Sequence, residues 1–391
     1  MSLRGATILT MAVFALQPLA FGAWLALIPH VKADLGLSKA ELAIALLGMP
    51  VALVPSLQIA ARVLGRYGPR RVLAVAFPVQ TPVVLLPLLA VGQGSLFAAL
   101  AALGVVLAFL QVSLNVYAGR LEKSAGVVIM SRCHGFWALG LMAGSLVAAV
   151  LVALPDVLRL GGIAVLSSVA GMAVALALPK LSGSETGSGP PRRALRRIPP
   201  VLFAISLFAL AIGMTEGAMS DWSAVYMAER WPEGAGRAGL AVSLYAGCVA
   251  VGRFLGDAAT TLLGRVRLAR GASLVALAGL AMIVGPWSVP VAFAGFAIVG
   301  LGVSIGFPLA VSAAAGLDDT YESANIAVLS TISLCGFLIG PPMIGFLADG
   351  FSLRVGLSAL FPLLAVSVWL SGALRPSNPR NQVSDSPILV P

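Results

Sequence analysis

Two carboxylates five residues apart, Glu216 and Asp221, lie inside an apolar run from about Val201 to Met227. An ionised carboxylate at bilayer depth costs roughly 2.5–3.5 kcal/mol, so acids in such a run need a reason. One reason is chemical: a carboxylate facing a water-filled path can bind and release a proton or hold a polar solute. The other is structural: an acid near the outer surface costs little, and a buried one can pair inside a helix bundle. Residues five apart on an ideal helix point about 140° from each other. The two acids therefore do not share one site unless the helix unwinds, which Gly213 and Gly217 would ease. Protonation of Glu216 would neutralise it and permit an occluded state.

Other polar side chains fall near the middle of apolar runs. Gln17 stands beside Pro18, and Phe21 and Trp24 follow at helical spacing. Gln17 suits a hydrogen bond to a polar solute and Trp24 a stack on a sugar-like ring. Interhelical bonding and packing are the alternatives. Gln111 and Asn115 are one turn apart and share a face, a spacing suited to hydroxyls or a carboxylate. His134, beside Arg132, is of a type that titrates near neutral pH and reads as a proton relay or a gate. Trp222, Tyr245 and Asn325 complete the candidate solute-binding set. His30, at the end of the first run, reads as a solvated terminal residue.

The elements that position these residues must be membrane helices. The chain of 391 residues is 59% hydrophobic and 10% charged, against about 45–50% and about 25% in soluble domains. Alternating β-barrel patterning is absent. Apolar runs of spanning length occupy 5–30, 40–61, 72–92, 95–119, 132–154, 160–178, 200–227, 238–263, 271–287, 290–315, 324–347 and 354–374. The first is too long for a signal-peptide core and lacks a small-residue cleavage pattern. The expected fold is an all-α membrane protein of twelve helices. Its expected units are a first half (1–179), a linker (180–199), a second half (200–374) and a tail (375–391). The linker is Gly/Ser/Pro-rich and then basic, a flexible connection whose arginines could hold anionic lipid headgroups.

The net charge of +10 is explained by topology rather than by nucleic acid. Arg62, Arg66, Arg70 and Arg71 follow the second run, and Arg120, Lys123 and Arg132 the fourth. Lys180 to Arg197 follow the sixth, and Arg265, Arg267 and Arg270 the eighth. The opposite loops hold fewer: Lys32, Lys39, Arg159, Arg230, Arg237 and Arg354. The positive-inside rule then puts both termini in the cytoplasm. Cys133, Cys248 and Cys335 have no metal or disulfide spacing, and with two histidines no histidine-rich metal site is expected. No nucleophile–base pair or phosphate loop stands out, so neither an enzyme nor a cofactor is expected.

The halves echo each other. Leu64-Gly65-Arg66 matches Leu263-Gly264-Arg265, and Gly135, Gly140 and Gly144 match Gly336, Gly340 and Gly345. Such repeats point to a carrier that rocks about a midplane site.

The chain at this point resembles the major facilitator superfamily, and within it the rhizopine-transporter-like branch. The matching segments are Phe21 to Ser38, Asn115 to Glu122, Ser131 to Gly140 (with its His-Gly-Phe-Trp), Glu216 to Ser223, Gly252 to Asp257 and Gly340 to Asp349. The resemblance implies secondary active transport by alternating access, driven by a proton gradient, in a bacterial inner membrane, and a monomer. It implies inner helices at spans 1, 4, 7 and 10. The family's acidic residue in the loop after span 2 is absent here, where Gly65 stands. The cytoplasmic gate is then expected among Arg66, Arg70, Arg132, Arg253 and Asp257, with Arg253 and Asp257 forming a lock in the second half. The favoured substrate is a polyol, inositol derivative or sugar-like solute. The alternatives are a proton-driven exporter of amphipathic compounds and, from another class, a non-transporting membrane receptor for a solute.

Overall fold

The computed structural model describes residues 3–127, 129–181, 198–285, 288–318 and 321–375. Most of the expected linker and nearly all of the expected tail, with the lipid contact assigned to the linker, lie outside the described residues. Twelve helices are long and apolar enough to cross a membrane. They are span 1 (Leu3–Asp34), span 2 (Lys39–Tyr67), span 3 (Pro69–Leu89), span 4 (Gln93–Ala125), span 5 (Met130–Val150) and span 6 (Asp156–Ala177). The second set is span 7 (Pro200–Arg230), span 8 (Leu240–Leu263), span 9 (Arg265–Val284), span 10 (Val289–Ala315), span 11 (Ala324–Gly350) and span 12 (Leu353–Leu374). An even number of crossings returns the chain to the face it started from, here called the terminal face.

Four spans are broken, and proline explains the places. Proline has no N–H and its ring crowds the carbonyl four residues back. Span 2 breaks at Leu47, span 10 at Ser304–Ile305 and span 12 at Ala359, each three or four residues before Pro50, Pro308 or Pro362. Span 1 breaks at Gln17–Pro18 itself. The sequence marks Pro308 as the kink, and the bend falls one turn before it.

Packing pairs repeat between the halves. Span 1 lies against 5, span 2 against 4 and span 3 against 6; span 7 lies against 11, span 8 against 10 and span 9 against 12. Lipid offers no hydrophobic drive for helix association, so small residues that permit backbone contact must supply it. A Cβ on Gly140 or Gly144 would fall on the carbonyls of Ala15 and Leu19 in span 1. On the other side of the repeat, Gly336 and Gly340 sit against Leu210 and Met214 of span 7. Leu89, Leu166, Leu262 and Trp369 remain exposed, the outward apolar surface a bilayer would cover.

The halves meet along spans 5 and 8, spans 2 and 11, and spans 1 and 7. On the face opposite the termini the seam is polar. Asp349 Oδ1 accepts from the backbone N–H groups of Lys39 and Ala40 at 3.1 and 3.3 Å. These are the orphan donors that open span 2. Glu229 lies 3.6 Å from both Lys32 and Lys39.

Candidate functional site

Span 7 runs unbroken from Pro200 to Arg230, so Glu216 and Asp221 keep the divergent directions of an ideal helix. Both are buried. Glu216 Oε1 sits 3.5 Å from Arg253 Nη2 of span 8. Among the described residues no hydrogen-bond or ion-pair partner reaches the Asp221 carboxylate. Arg253 therefore pairs with Glu216, not with Asp257 one turn away on its own helix. Asp257 is exposed.

From Arg253 a polar chain crosses to the first half. Its Nη1 donates to the His134 carbonyl on span 5 at 3.3 Å. Ser131 Oγ, one turn earlier on span 5, donates to the Arg253 carbonyl at 3.4 Å. His134 Nε2 meets Asn115 Oδ1 of span 4 at 3.1 Å. Asn115 Nδ2 is committed to the Gln111 carbonyl at 2.9 Å. That leaves Asn115 an acceptor toward His134, so the imidazole carries its proton on Nε2. Four spans thus meet through Glu216, Arg253, His134 and Asn115.

One turn further along span 5 is a second rung. Trp137 Nε1 donates to Gln17 Oε1 at 2.7 Å. Gln80 of span 3 donates to the Gln17 carbonyl at 3.1 Å, which the break beside Pro18 leaves open to it. Phe14, three residues before Gln17, meets the His134 ring edge-on at 5.5 Å. The two rungs share spans 1 and 5, so Gln17 and His134 belong to one neighbourhood. Trp137 and Gln80 were not singled out from the sequence. An indole and an amide three residues or one turn from a candidate on a neighbouring span are the signal, and it appears only once the spans are paired.

The remaining candidates lie elsewhere. Trp24 and Trp222 are fully buried, and Trp222 Nε1 donates to the Pro341 carbonyl at 3.0 Å. Phe21 packs half-buried against the core. Tyr245 is buried two turns from Arg253 on span 8, its backbone against Gly300. Asn325 is buried and donates to the Ala314 carbonyl at 3.2 Å, tying span 11 to span 10. Arg66 lies over the Tyr67 ring at 5.5 Å. Arg70 bonds the carbonyls of Ala175 and Leu176 at the end of span 6. Arg132 is exposed. His30 is not simply solvated: its Nδ1 meets Asp156 at 2.9 Å, beside buried Arg159.

A cavity of about 260 Å³ adjoins the chain. Arg253 lines it, with Ser131, Asp257, Thr260, Thr261 and Arg265 toward the terminal face and Ile305, Pro308 and Leu309 on its apolar side. Among the described residues no cluster of three or more His, Cys, Asp or Glu could hold a metal ion.

A helix bundle with doubled topology, a polar seam on one face and a cavity beside a buried polar chain toward the other has the anatomy of a carrier. The family model of the Major Facilitator Superfamily matches residues 9–324. The chain belongs to that superfamily. Among curated relatives, this facilitator is 29% identical over 363 residues to an uncharacterised MFS-type transporter of Yersinia pestis, covering 91% of this chain and 92% of that one. It is 28% identical over 362 residues to membrane protein MosC of Rhizobium meliloti, covering 91% and 86%. Among solved structures, a mutant of nucleoside transporter NupG superposes with a TM-score of 0.76 at 11% identity, over 94% of this chain and 98% of that one. The E. coli fucose:proton symporter FucP gives 0.61 at 14% identity, over 96% and 100%. These likenesses show the fold. The facilitator is a multi-pass membrane transporter, not an enzyme.

Proposed function

We propose that this facilitator is a proton-coupled carrier of a small polar solute in a bacterial inner membrane, with both termini in the cytoplasm. The observation that carries the reading is the Glu216–Arg253 pair and its continuation through His134 to Asn115. A proton taken by Glu216 removes its charge and releases Arg253. Release of Arg253 alters the polar chain that joins spans 7 and 8 to spans 4 and 5. Proton state and the fit of the two halves are thereby linked, as coupling by differential stabilisation requires. Asp221 is the second acid available to a proton. The neighbour whose name includes proton symport supports the reading only by sharing the fold.

With the termini inside, the seam of Asp349, Glu229, Lys32 and Lys39 closes the outer face, and the cavity beside Arg253 faces the cytoplasm. The conformation is then inward-facing. Arg66 and Arg70 bond only within the first half in this state, which leaves them available for a closed inner gate. Transporters of this superfamily are often monomeric, and the proposed carrier is a monomer.

The test uses proteoliposomes loaded with a pH-sensitive dye. Addition of a transported polyol or sugar should acidify the lumen of the parent and leave it unchanged with Glu216→Gln. Solute uptake coupled to protons in the Glu216→Gln carrier would overturn the coupling role.

A further inference from the structure

The polar lining of the cavity beside Arg253 combines two chemistries along span 8 and the head of span 9. One is cationic: Arg253 at the inner end and Arg265 at the head of span 9. Arg253 is under-engaged there. Its two bonds are long, at 3.3 and 3.5 Å, and its buried Nε has no acceptor. A guanidinium carries five donors and is best satisfied by a planar anion.

The other, one to two turns along span 8 from Arg253, is hydrogen-bond acceptance. Thr260 donates its hydroxyl to the Gly256 carbonyl at 2.7 Å, and Thr261 donates to the Asp257 carbonyl at 3.0 Å. With their protons committed, both hydroxyl oxygens offer lone pairs to the cavity, as does the Asp257 carboxylate. Such a lining calls for a ligand with O–H or N–H donors. Size adds a limit. About 260 Å³ is below the roughly 300–1,000 Å³ of drug-sized sites, so it takes a compact polar group and not a bulky amphipathic body.

We propose that the cavity binds the head of a polyhydroxylated carboxylate, a sugar acid by class. The anion lies on Arg253 and Arg265, and hydroxyls donate to Asp257, Thr260 and Thr261. This rests on the carrier reading above and narrows its substrate: the polar solute is acidic rather than a neutral polyol. An anion that displaces Glu216 from Arg253 also leaves Glu216 free to take the proton, so solute and proton enter through the same guanidinium.

Calorimetric titration of the full purified chain with gluconate, glucuronate, sorbitol, glucose and serine tests this at neutral pH. A sugar acid should bind at least about tenfold more tightly than its neutral counterpart, the discrimination one charged hydrogen bond supplies. Arg265→Gln, at the cavity mouth, should weaken the acid about tenfold while the empty variant keeps the parent's Tm. Asp257→Ala is the sharper arm, because it removes the acceptor oxygens together with the charge. If Asp257 were only a repelling charge, its removal would strengthen anion binding; as a hydroxyl acceptor, its removal weakens it. Equal binding of acid and alcohol, no effect of Arg265→Gln, stronger binding in Asp257→Ala, a preference for serine, or no acid binding at millimolar concentration would each overturn the proposal. Sorbitol that binds and carries protons would sink this inference and spare the coupling reading. Gluconate that binds and crosses without protons would do the reverse.

Discussion

At the scale of the residue, Glu216 and Arg253 form an ion pair between spans 7 and 8 that is largely withdrawn from water. Removing one member of a buried pair costs about 3–5 kcal/mol, because the other is left uncompensated, whereas removing both is far milder. The side chains of Glu216 and Arg253 are 12% and 15% exposed, so the lower end applies. Arg253→Met alone should lower Tm clearly, and the double variant with Glu216→Gln should recover more than half of the loss. Scanning fluorimetry of the purified variants reads this. Equal Tm for the single and double variants would show that the pair is not coupled. The Gln17 rung gives a second case. Trp137→Phe keeps the ring and deletes the donor to Gln17 Oε1, leaving a buried acceptor unpaired at a cost of about 1–3 kcal/mol. The Tm should fall, and adding Gln17→Leu should restore part of it. These residues were legible as types and not as partners. Glu216 stands out because an acid is costly in an apolar run, and Arg253 because it belongs to a motif. Nothing in a single sequence says that they touch, because they come from different helices whose rotation is set by packing.

At the scale of the element, glycine spacing governs how closely span 5 approaches span 1. Gly144→Leu would drive a side chain into the Leu19 carbonyl, and the close contact of the two helices would be lost. Overpacking typically costs about 1–3 kcal/mol; because His134 and Trp137 ride on the same helix, proton-coupled uptake should fall further than stability does. Uptake per folded carrier, quantified beside Tm, separates the two effects. The spans themselves were legible to within a few residues, since apolar length in a bilayer is a strong constraint. The largest misses at the span ends share one cause. Span 4 continues to Ala125 and span 9 begins at Arg265, past the apolar limits of 119 and 271. Arg120, Glu122, Lys123 and Arg267 are good helix formers, so the helix runs on where the apolar run stops. The break in span 2 at Leu47 was missed although Pro50 marks it.

At the scale of the whole molecule, the repeat makes two halves that are held together by few bonds. The seam on the closed face is Asp349 on the head of span 2 and Glu229 between two lysines. Glu229→Gln with Asp349→Asn should shift the population toward the alternative conformation, open on that face. Spin labels at Leu35 and Glu233, on opposite halves of that face, should report a longer distance in the double variant. An unchanged distance distribution would mean that apolar packing of spans 5 and 8 holds the face shut. The twelve-span, two-half architecture was readable from composition and repeats, and the superfamily from the resemblance of its segments; this seam was not, because its lysines read as ordinary loop charges.

The exposure of that seam has a further consequence. Lys32 and Lys39 are 20% and 25% exposed, and Glu229 is 36% exposed, so dissolved ions reach all three. The range of a charge interaction in water is about 10 Å at 0.1 M ionic strength and about 3 Å at 1 M. The Glu229 contacts are therefore strongest in dilute surroundings and fade as electrolyte rises. The Glu216–Arg253 pair, buried in the bundle, is largely shielded from the same ions. With the proposed orientation and coupling role, the medium outside the cell acts on the latch and not on the coupling pair. In fresh water the emptied carrier is held shut for longer before it reopens, and in brine it resets sooner at an unchanged number of protons per solute.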